Sequence, residues 1–345
     1  MEIAGPRAAG GRARIVVLSV VLLVAIFALL RRGGLPLWPP RDVLARTDAR
    51  FAAAFVAAMV VHLVIRYLRT WFLVAPVRRV PLLRLFSINA IGMAFISALP
   101  FRLGEAFRPA MLREQGKLSA WAVAGTVFAE RILDGSMYGG MLLVGLAVAH
   151  RNPPVSFQAA GVTISTALVP RVARVAGLFF TSAFAAMAGL HFFREAARPL
   201  VLRVLSPVSP TFASRVATVV LRVADGFGFL TNPRYSLPYL AVTLFAGACH
   251  VVAVGWLSRA VGLPPLGFAE GMVVVGILAL GFVPLNAPGF FGAVQVALYA
   301  GLSVFASPSE VLSQGAAFVF VFYVTYLGAI AFLAAVGASL GLLRS

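Results

Sequence analysis

The chain has 345 residues, 61% hydrophobic and only 12% charged, with a mean hydropathy of +0.96. A soluble domain carries about 45–50% apolar and roughly 25% charged residues, so a water-soluble globule around one core is excluded. The balance of +18, from 29 basic and 11 acidic residues, suits loops facing the cytoplasm and anionic lipid rather than nucleic acid.

The apolar runs are long, repeated and continuous, as at 16–30 and 239–257. A membrane β-barrel would alternate apolar and polar residues instead. The expected fold is therefore an all-α polytopic membrane protein, a single integral membrane domain over 1–345 with about six full spans. Arg7, Arg12 and Arg14 precede the first run, at 15–30, and Arg31 and Arg32 follow it. No small-residue cleavage pattern intervenes, so it reads as a retained first helix rather than a signal peptide. The other spans are expected at 51–75, 119–149, 175–193, 237–258 and 311–343. Arg66, Arg69 and Trp71 read as an interfacial anchor near the end of the second.

Two apolar segments are too short to cross. Residues 85–99 stop at Pro100 and 268–283 at Pro284, about 15 residues each where a span needs roughly 20. A Gly/Pro turn and a second short segment follow each, at 102–113 and 289–305. The pattern predicts two re-entrant helical hairpins, over 85–114 and 268–306. The runs at 119–149 and 311–343 exceed a span and should be tilted or bent. Residues 194–236 carry six Arg with apolar residues between them, broken by Pro199, Pro207 and Pro210. An amphipathic segment on the cytoplasmic leaflet fits there, as does an ordinary positive loop.

With the N-terminus inside, the first hairpin entering from inside and the second from outside, 19 Arg and Lys fall inside and 9 outside. That bias sets the orientation, with both termini cytoplasmic and Arg131 left within a span. Opposed hairpins suit an inverted-repeat arrangement, although no residue-level repeat is visible. No soluble domain is expected on either side of the membrane body.

Charges inside spans cost roughly 2.5–3.5 kcal/mol each on insertion scales, so they pair or serve function. Arg102, Glu105 and Arg108 recur every three residues and share a helix face. Glu130 and Asp134 stack at i, i+4 some eleven residues into a span, with Arg131 and Asp134 at i, i+3. One reading is a buried polar site in which Arg grips phosphate and the carboxylates orient it or carry a proton. These six residues also sum to zero charge, so a closed ion network locking the hairpin to the long span would look the same. A third feature, at 284–295, ends one half-helix and starts another. Its new N-terminus near Gly289, with Asn286 and Gln295 beside it, suits an anionic head group. A simple kink would have the same composition.

The remaining polar residues carry less. His62, His150, His191 and His250 lack metal-ligand spacing, and His62 and His250 read as hydrogen-bonded helix contacts. The single cysteine, Cys249, reads as packing and excludes an internal disulfide. No Walker motif, dinucleotide fingerprint, HExxH or nucleophile elbow is present, so no cofactor is expected.

Together these motifs resemble the lysylphosphatidylglycerol synthase transmembrane-region family, also called flippase-like integral membrane proteins. The resemblance rests on Pro100, Arg102, Gly104, Glu105 and Arg108; on Arg66, Arg69 and Trp71; on Glu130, Arg131 and Asp134; and on Pro288, Gly289 and Gly292. It runs from about Phe51 to Leu343. Gln295 departs from it, standing where the family usually has Glu. The resemblance implies lipid work: in fused synthases this region is associated with flipping an aminoacylated phospholipid, but no soluble transferase domain like that of those fusions is expected here. Other relatives stand alone or accompany glycosyltransferases that use lipid-linked sugars.

The expected function is a lipid translocator in the inner membrane of a bacterium or archaeon. It would move a phospholipid or isoprenoid-phosphate lipid, with Arg102, Arg108 and Arg131 on phosphate and Glu105, Glu130 and Asp134 orienting them. The alternatives are an intramembrane enzyme using Glu130 or Asp134 as acid or base, and a non-catalytic partner of a separate lipid-modifying enzyme.

Overall fold

The computed structural model describes residues 20–21, 24–25, 27–28, 36–99, 104–150, 152–153, 156–159, 162–207, 209–225, 228–281 and 287–342. Most of the first expected span, and the hairpin turns at 100–103 and 282–286, lie outside these residues. Among those described, five helices are long and apolar enough to cross a membrane. With the short helix α1 (Arg41–Ala45) before them, they are α2 (Ala49–Val74), α5 (Ala120–Val148), α6 (Val169–Phe192), α9 (Pro233–Ala260) and α13 (Gln314–Leu342). The protein is an integral membrane protein of helices. Large apolar side chains such as Val175, Leu178, Phe179 and Phe332 are exposed on its outside, as a bundle solvated by acyl chains requires.

Four of the long helices start at a capping side chain, or at a proline that has no N–H to satisfy. Asp48 accepts from the Arg50 N–H at 2.8 Å and Ser119 from the Ala122 N–H at 3.1 Å. Pro170 near the start of α6 is pre-set for a helix N-terminus. That moves the start six residues ahead of the expected 175, and takes Arg171 and Arg174 out of the loop into the first turns. The last span starts later than 311. Val311 belongs to the short helix α12 (Pro308–Leu312), closed by a box between Ser307 and Glu310, and Ser313 breaks the path before α13. The acceptor side chain of Glu310 is held below the usual carboxylate range by the Ser307 hydroxyl and N–H.

α2 and α9 are antiparallel neighbours, tied where the Asp48 N–H donates to the Ala260 carbonyl at 2.8 Å. Phe55, Met59, Leu63, Val251, Val254, Phe318 and Phe322 fill the main core between them and α13. A short helix follows each of the two: α3 (Leu82–Ala98) after α2, and α10 (Phe268–Gly281) after α9. At 1.5 Å per residue these are ~26 and ~21 Å long, short of a ~30 Å hydrocarbon core. Each folds back against a shorter partner, α3 on α4 (Phe107–Glu114) and α10 on α11 (Ala293–Leu302). Since α2 and α9 run in opposite directions, the two helix pairs start from opposite ends of the bundle. A one-turn helix at Pro288–Phe290, between α10 and α11, touches α3.

The segment at 194–236 is a pair of packed helices, α7 (Arg194–Leu205) and α8 (Pro210–Asp225), with α8 against α5. Pro199 does not break it as expected. It sits inside α7, while Pro207 follows the end of that helix and Pro210 opens the next. An antiparallel hairpin, β1 (Ser156–Ala159) with β2 (Val162–Ser165), joins α5 to α6. It was not expected from hydropathy, which does not register strands of four residues.

α5 and α10 cross on small residues. A Cβ on Gly276 would lie 2.6 Å from the Leu142 Cβ and 3.2 Å from the Tyr138 carbonyl oxygen; one on Gly145 would lie 2.8 Å from the Ala269 carbonyl oxygen. Backbones approach this closely in membranes only where side chains are small. Gly276→Ala is expected to destabilise the detergent-solubilised protein by about 1–3 kcal/mol through overpacking. Gly328→Ala, which meets open space, is expected to lose nothing. Denaturation midpoints of both variants check this.

Candidate functional site

Three helices deliver charge to one place inside the bundle, and a fourth supports it. On α5, Glu130 and Asp134 are one turn apart and both buried. On α2, Arg69 is 2% exposed and Arg66 sits one turn earlier at the same wall. Arg108 comes from α4, and Asn89 from α3 supports it. Carboxylates cannot be left bare there, because a buried charge without a partner is strongly destabilising.

Their partners come from other helices. Arg108 Nη2 donates to Glu130 Oε2 at 2.5 Å and to Thr70 Oγ1 at 3.2 Å, and its Nε donates to Asn89 Oδ1 at 2.7 Å. Asn89 in turn donates to the Tyr67 carbonyl at 2.7 Å. Arg69 Nη2 donates to Asp134 Oδ1 and lies 3.8 Å from Glu130 Oε1, while its Nη1 donates to Thr243 Oγ1 at 3.0 Å. Its guanidinium also sits 5.5 Å from the Tyr239 ring centre. Arg66 lies 3.7 Å from the other Asp134 oxygen. A last pair is looser and more exposed: Arg131 to Glu105 at 3.8 Å, with side chains 48% and 35% exposed.

This corrects two expectations. Arg66 and Arg69 are not an interfacial anchor but part of the buried cluster; Trp71 alone packs with Phe72 and Tyr235. The signal available was their i, i+3 spacing within an apolar run, the same one read from Arg102, Glu105 and Arg108. Asp134 pairs with α2 rather than with Arg131, because side chains at 131 and 134 diverge once Glu105 takes the former. The hairpin and the long span are tied by Arg108 to Glu130 and by Arg131 to Glu105, as a locking network requires.

The cluster forms one wall of a cavity of about 360 Å³, a volume in the range of small-molecule sites. Glu105, Arg108, Glu130, Arg131 and Asp134 all line it. Apolar groups line the rest of it, among them Phe180, Val275, Leu278 and Phe290. Ile96 near the end of α3 and Phe290 beyond α10 line it together, so the far ends of both short helices meet there. Among its described residues the cavity holds three Arg and three carboxylates, with Arg69 directly behind. The cluster as a whole therefore carries four Arg against three carboxylates.

Not every expected residue joins it. Gly289 and Gln295 do not line the cavity. Gly289 has φ +70°, and a Cβ there would sit 2.7 Å from the Tyr323 hydroxyl, so it shapes the turn. The Gln295 side-chain carbonyl accepts from the Gly292 N–H at 2.7 Å and caps α11. A carboxylate at 295 could accept the same bond. Arg102 and Asn286 lie outside the described residues. His62 and His250, read as separate contacts, are brought together with ring centres 4.5 Å apart, both lining the cavity. Their meeting depends on the packing of α2 against α9, which no spacing reveals. No group of His, Cys, Asp and Glu among the described residues has the arrangement to hold a metal ion.

Comparison with known families matches residues 14–334 to the lysylphosphatidylglycerol synthase TM region. The match spans nearly the whole chain, and the chain belongs to that family. No curated protein and no solved structure matches it. The family relates the protein to lipid modification or translocation and to membrane lipids.

The two classes of ion pair should differ sharply in worth. Glu130→Gln leaves Arg108 buried without its counter-charge, and is expected to cost about 3–5 kcal/mol. Glu105→Gln, at the exposed pair, is expected to cost less than about 1 kcal/mol. Chemical denaturation of the purified variants in one detergent separates the two.

Proposed function

We propose that the protein moves an anionic, phosphate-bearing lipid between leaflets, its head group passing through the charged cavity while the acyl chains stay in the bilayer. One observation carries the reading. Arg131 lines the cavity, is about half exposed, and among the described residues forms its ion pair with Glu105 at 3.8 Å. It is the cationic group best placed to exchange a carboxylate for a phosphate, since guanidinium binds both in the same planar, two-pronged way.

The buried pairs support that role. Arg69 and Arg108 are spent on Asp134 and Glu130, which keeps the helices in place while a head group competes at Arg131 and Arg66. The apolar lining, Phe180 and Phe290 among it, offers a surface compatible with lipid. The short helix pairs, starting from opposite ends of the bundle, are proposed as re-entrant hairpins whose inner ends bound the path from each side. Charge repulsion within the excess Arg makes an anion welcome and a cation unwelcome.

Leaflet exchange of fluorescent phosphatidylglycerol in proteoliposomes tests this. Arg131→Gln is expected to lower the exchange rate by about tenfold, the worth of one charge-assisted hydrogen bond, with the melting temperature nearly unchanged. Equal exchange by wild type and variant, or none by either, overturns the proposal.

A further inference from the structure

The helix pair α7 and α8 takes no part in the cavity, yet its side chains are sharply sorted. The pair joins two membrane-crossing helices, α6 and α9. α6 ends at Phe192 and α7 starts at Arg194, so α7 begins at the depth where a span leaves the bilayer. At 1.5 Å per residue, its 12 residues and the 16 of α8 make ~18 and ~24 Å, too short to cross. The pair therefore stays at the membrane face where α6 leaves and α9 enters.

α8 has three sectors. Ala213 and Ala217 are buried, and α8 packs on α5 and α7. Thr211, Ser214 and Thr218 form an exposed polar stripe. The Ser214 and Thr218 hydroxyls donate back to the Thr211 and Ser214 carbonyls, at 2.9 and 2.8 Å. Phe212 is exposed between these sectors, and exposed Arg215 lies about 60° round the helix from it, on the polar side. α7 repeats the arrangement. Leu200 and Val204, one turn apart, are each 62% exposed, and exposed Arg203 lies about 60° round from Leu200.

An exposed apolar stripe edged by Arg is the pattern of a helix lying in the plane of a membrane interface. The apolar side chains reach the acyl chains, and the guanidinium groups reach back to the phosphates. Two observations favour a lipid surface over a protein partner. The outer side of α6, with Leu178 and Phe179 exposed, faces acyl chains, and it ends in Phe192 and Phe193, 63% and 70% exposed. Its apolar surface thus continues along the chain into the pair. The two helices also hold five Arg against Glu195 and Asp225, a charge complementary to anionic lipid. We infer that α7 and α8 form an interfacial foot docked on an anionic leaflet, with Leu200, Val204 and Phe212 below the phosphates and Arg203 and Arg215 among them. Because α8 packs on α5, the helix of Glu130 and Asp134, the foot sets the depth of the charged bundle in the leaflet. It does so whatever the cavity carries.

The test uses the full chain in nanodiscs of phosphatidylcholine, with or without phosphatidylglycerol mixed in. Amide hydrogen exchange over 199–218 is expected to be about tenfold slower with phosphatidylglycerol, since each Arg at an anionic surface is worth up to about fivefold. Arg203→Gln with Arg215→Gln is expected to lower that ratio to about twofold, with the melting temperature of the bundle unchanged. Two spin labels report depth without relying on exchange. In a Cys249→Ala background, a label on Leu200→Cys is expected to meet oxygen and be shielded from a water-soluble nickel chelate. One on Ser214→Cys is expected to do the reverse. Equal nickel access at both positions overturns the proposal and leaves the face open to a soluble partner. Shielding at 200 only in nanodiscs that hold two copies overturns it in favour of self-association. Shielding at 200 with exchange indifferent to phosphatidylglycerol overturns the anionic assignment.

Discussion

Everything in this fold depends on two carboxylates, one turn apart, inside a membrane helix. Glu130 and Asp134 are costly there unless counter-charges reach them, and α5 carries none in the right direction. Arg69 of α2 and Arg108 of α4 supply them. At ~3–4 Å and an effective dielectric constant near 20, each such pair is worth about 4–5 kcal/mol of attraction. Desolvation takes back much of that, so the pairs add less to net stability than to register. They fix the height of α2, α4 and α5 relative to one another, because a slip by one turn would strand both charges in hydrocarbon.

That register has a division of labour built into it. Asn89 shows it well: one side chain accepts from Arg108 and donates to the backbone of α2, so the charged network is also a brace between helices. The tight part of the network is buried and closed. The loose part, Arg131 with Glu105, faces the cavity, as does Arg66 at the edge of the Asp134 pair. A bundle that had to loosen its deep pairs to receive a ligand would lose its shape at each turnover. Here the deep pairs hold the frame, and the shallow one is the partly exposed pair.

Much of this was legible in the amino-acid sequence, for reasons that differ by residue. The long spans stood out because a run of twenty apolar residues has few other uses. Glu130, Asp134 and Arg108 stood out because charge in an apolar setting is costly wherever it is placed. Arg66 and Arg69 were misread because they lie near the end of their run beside a tryptophan, the usual composition of an interface. Helix starts were misplaced at Pro170 and Ser313, where local backbone preference rather than hydropathy decides. Gln295 is legible once capping is considered: three residues after Gly292, its carbonyl reaches back to the N–H that starts α11. The contact of His62 with His250 was out of reach, since it follows from which helices pack together and not from any spacing along the chain.

The buried pairs also set an order on how the protein can be made. α2 leaves the ribosome well before α5, carrying Arg66 and Arg69 with nothing yet to neutralise them. Their place in the last third of α2 eases the wait, because long guanidinium side chains near a helix end reach back to the lipid head groups. Glu130 and Asp134 have no such reach from the middle of α5, and inserting that helix alone would cost about 5–7 kcal/mol on the same scales. The nascent α5 therefore has to enter the bilayer beside α2 rather than ahead of it. Biogenesis of this protein is an assembly step in which an early helix serves as the counter-ion for a later one.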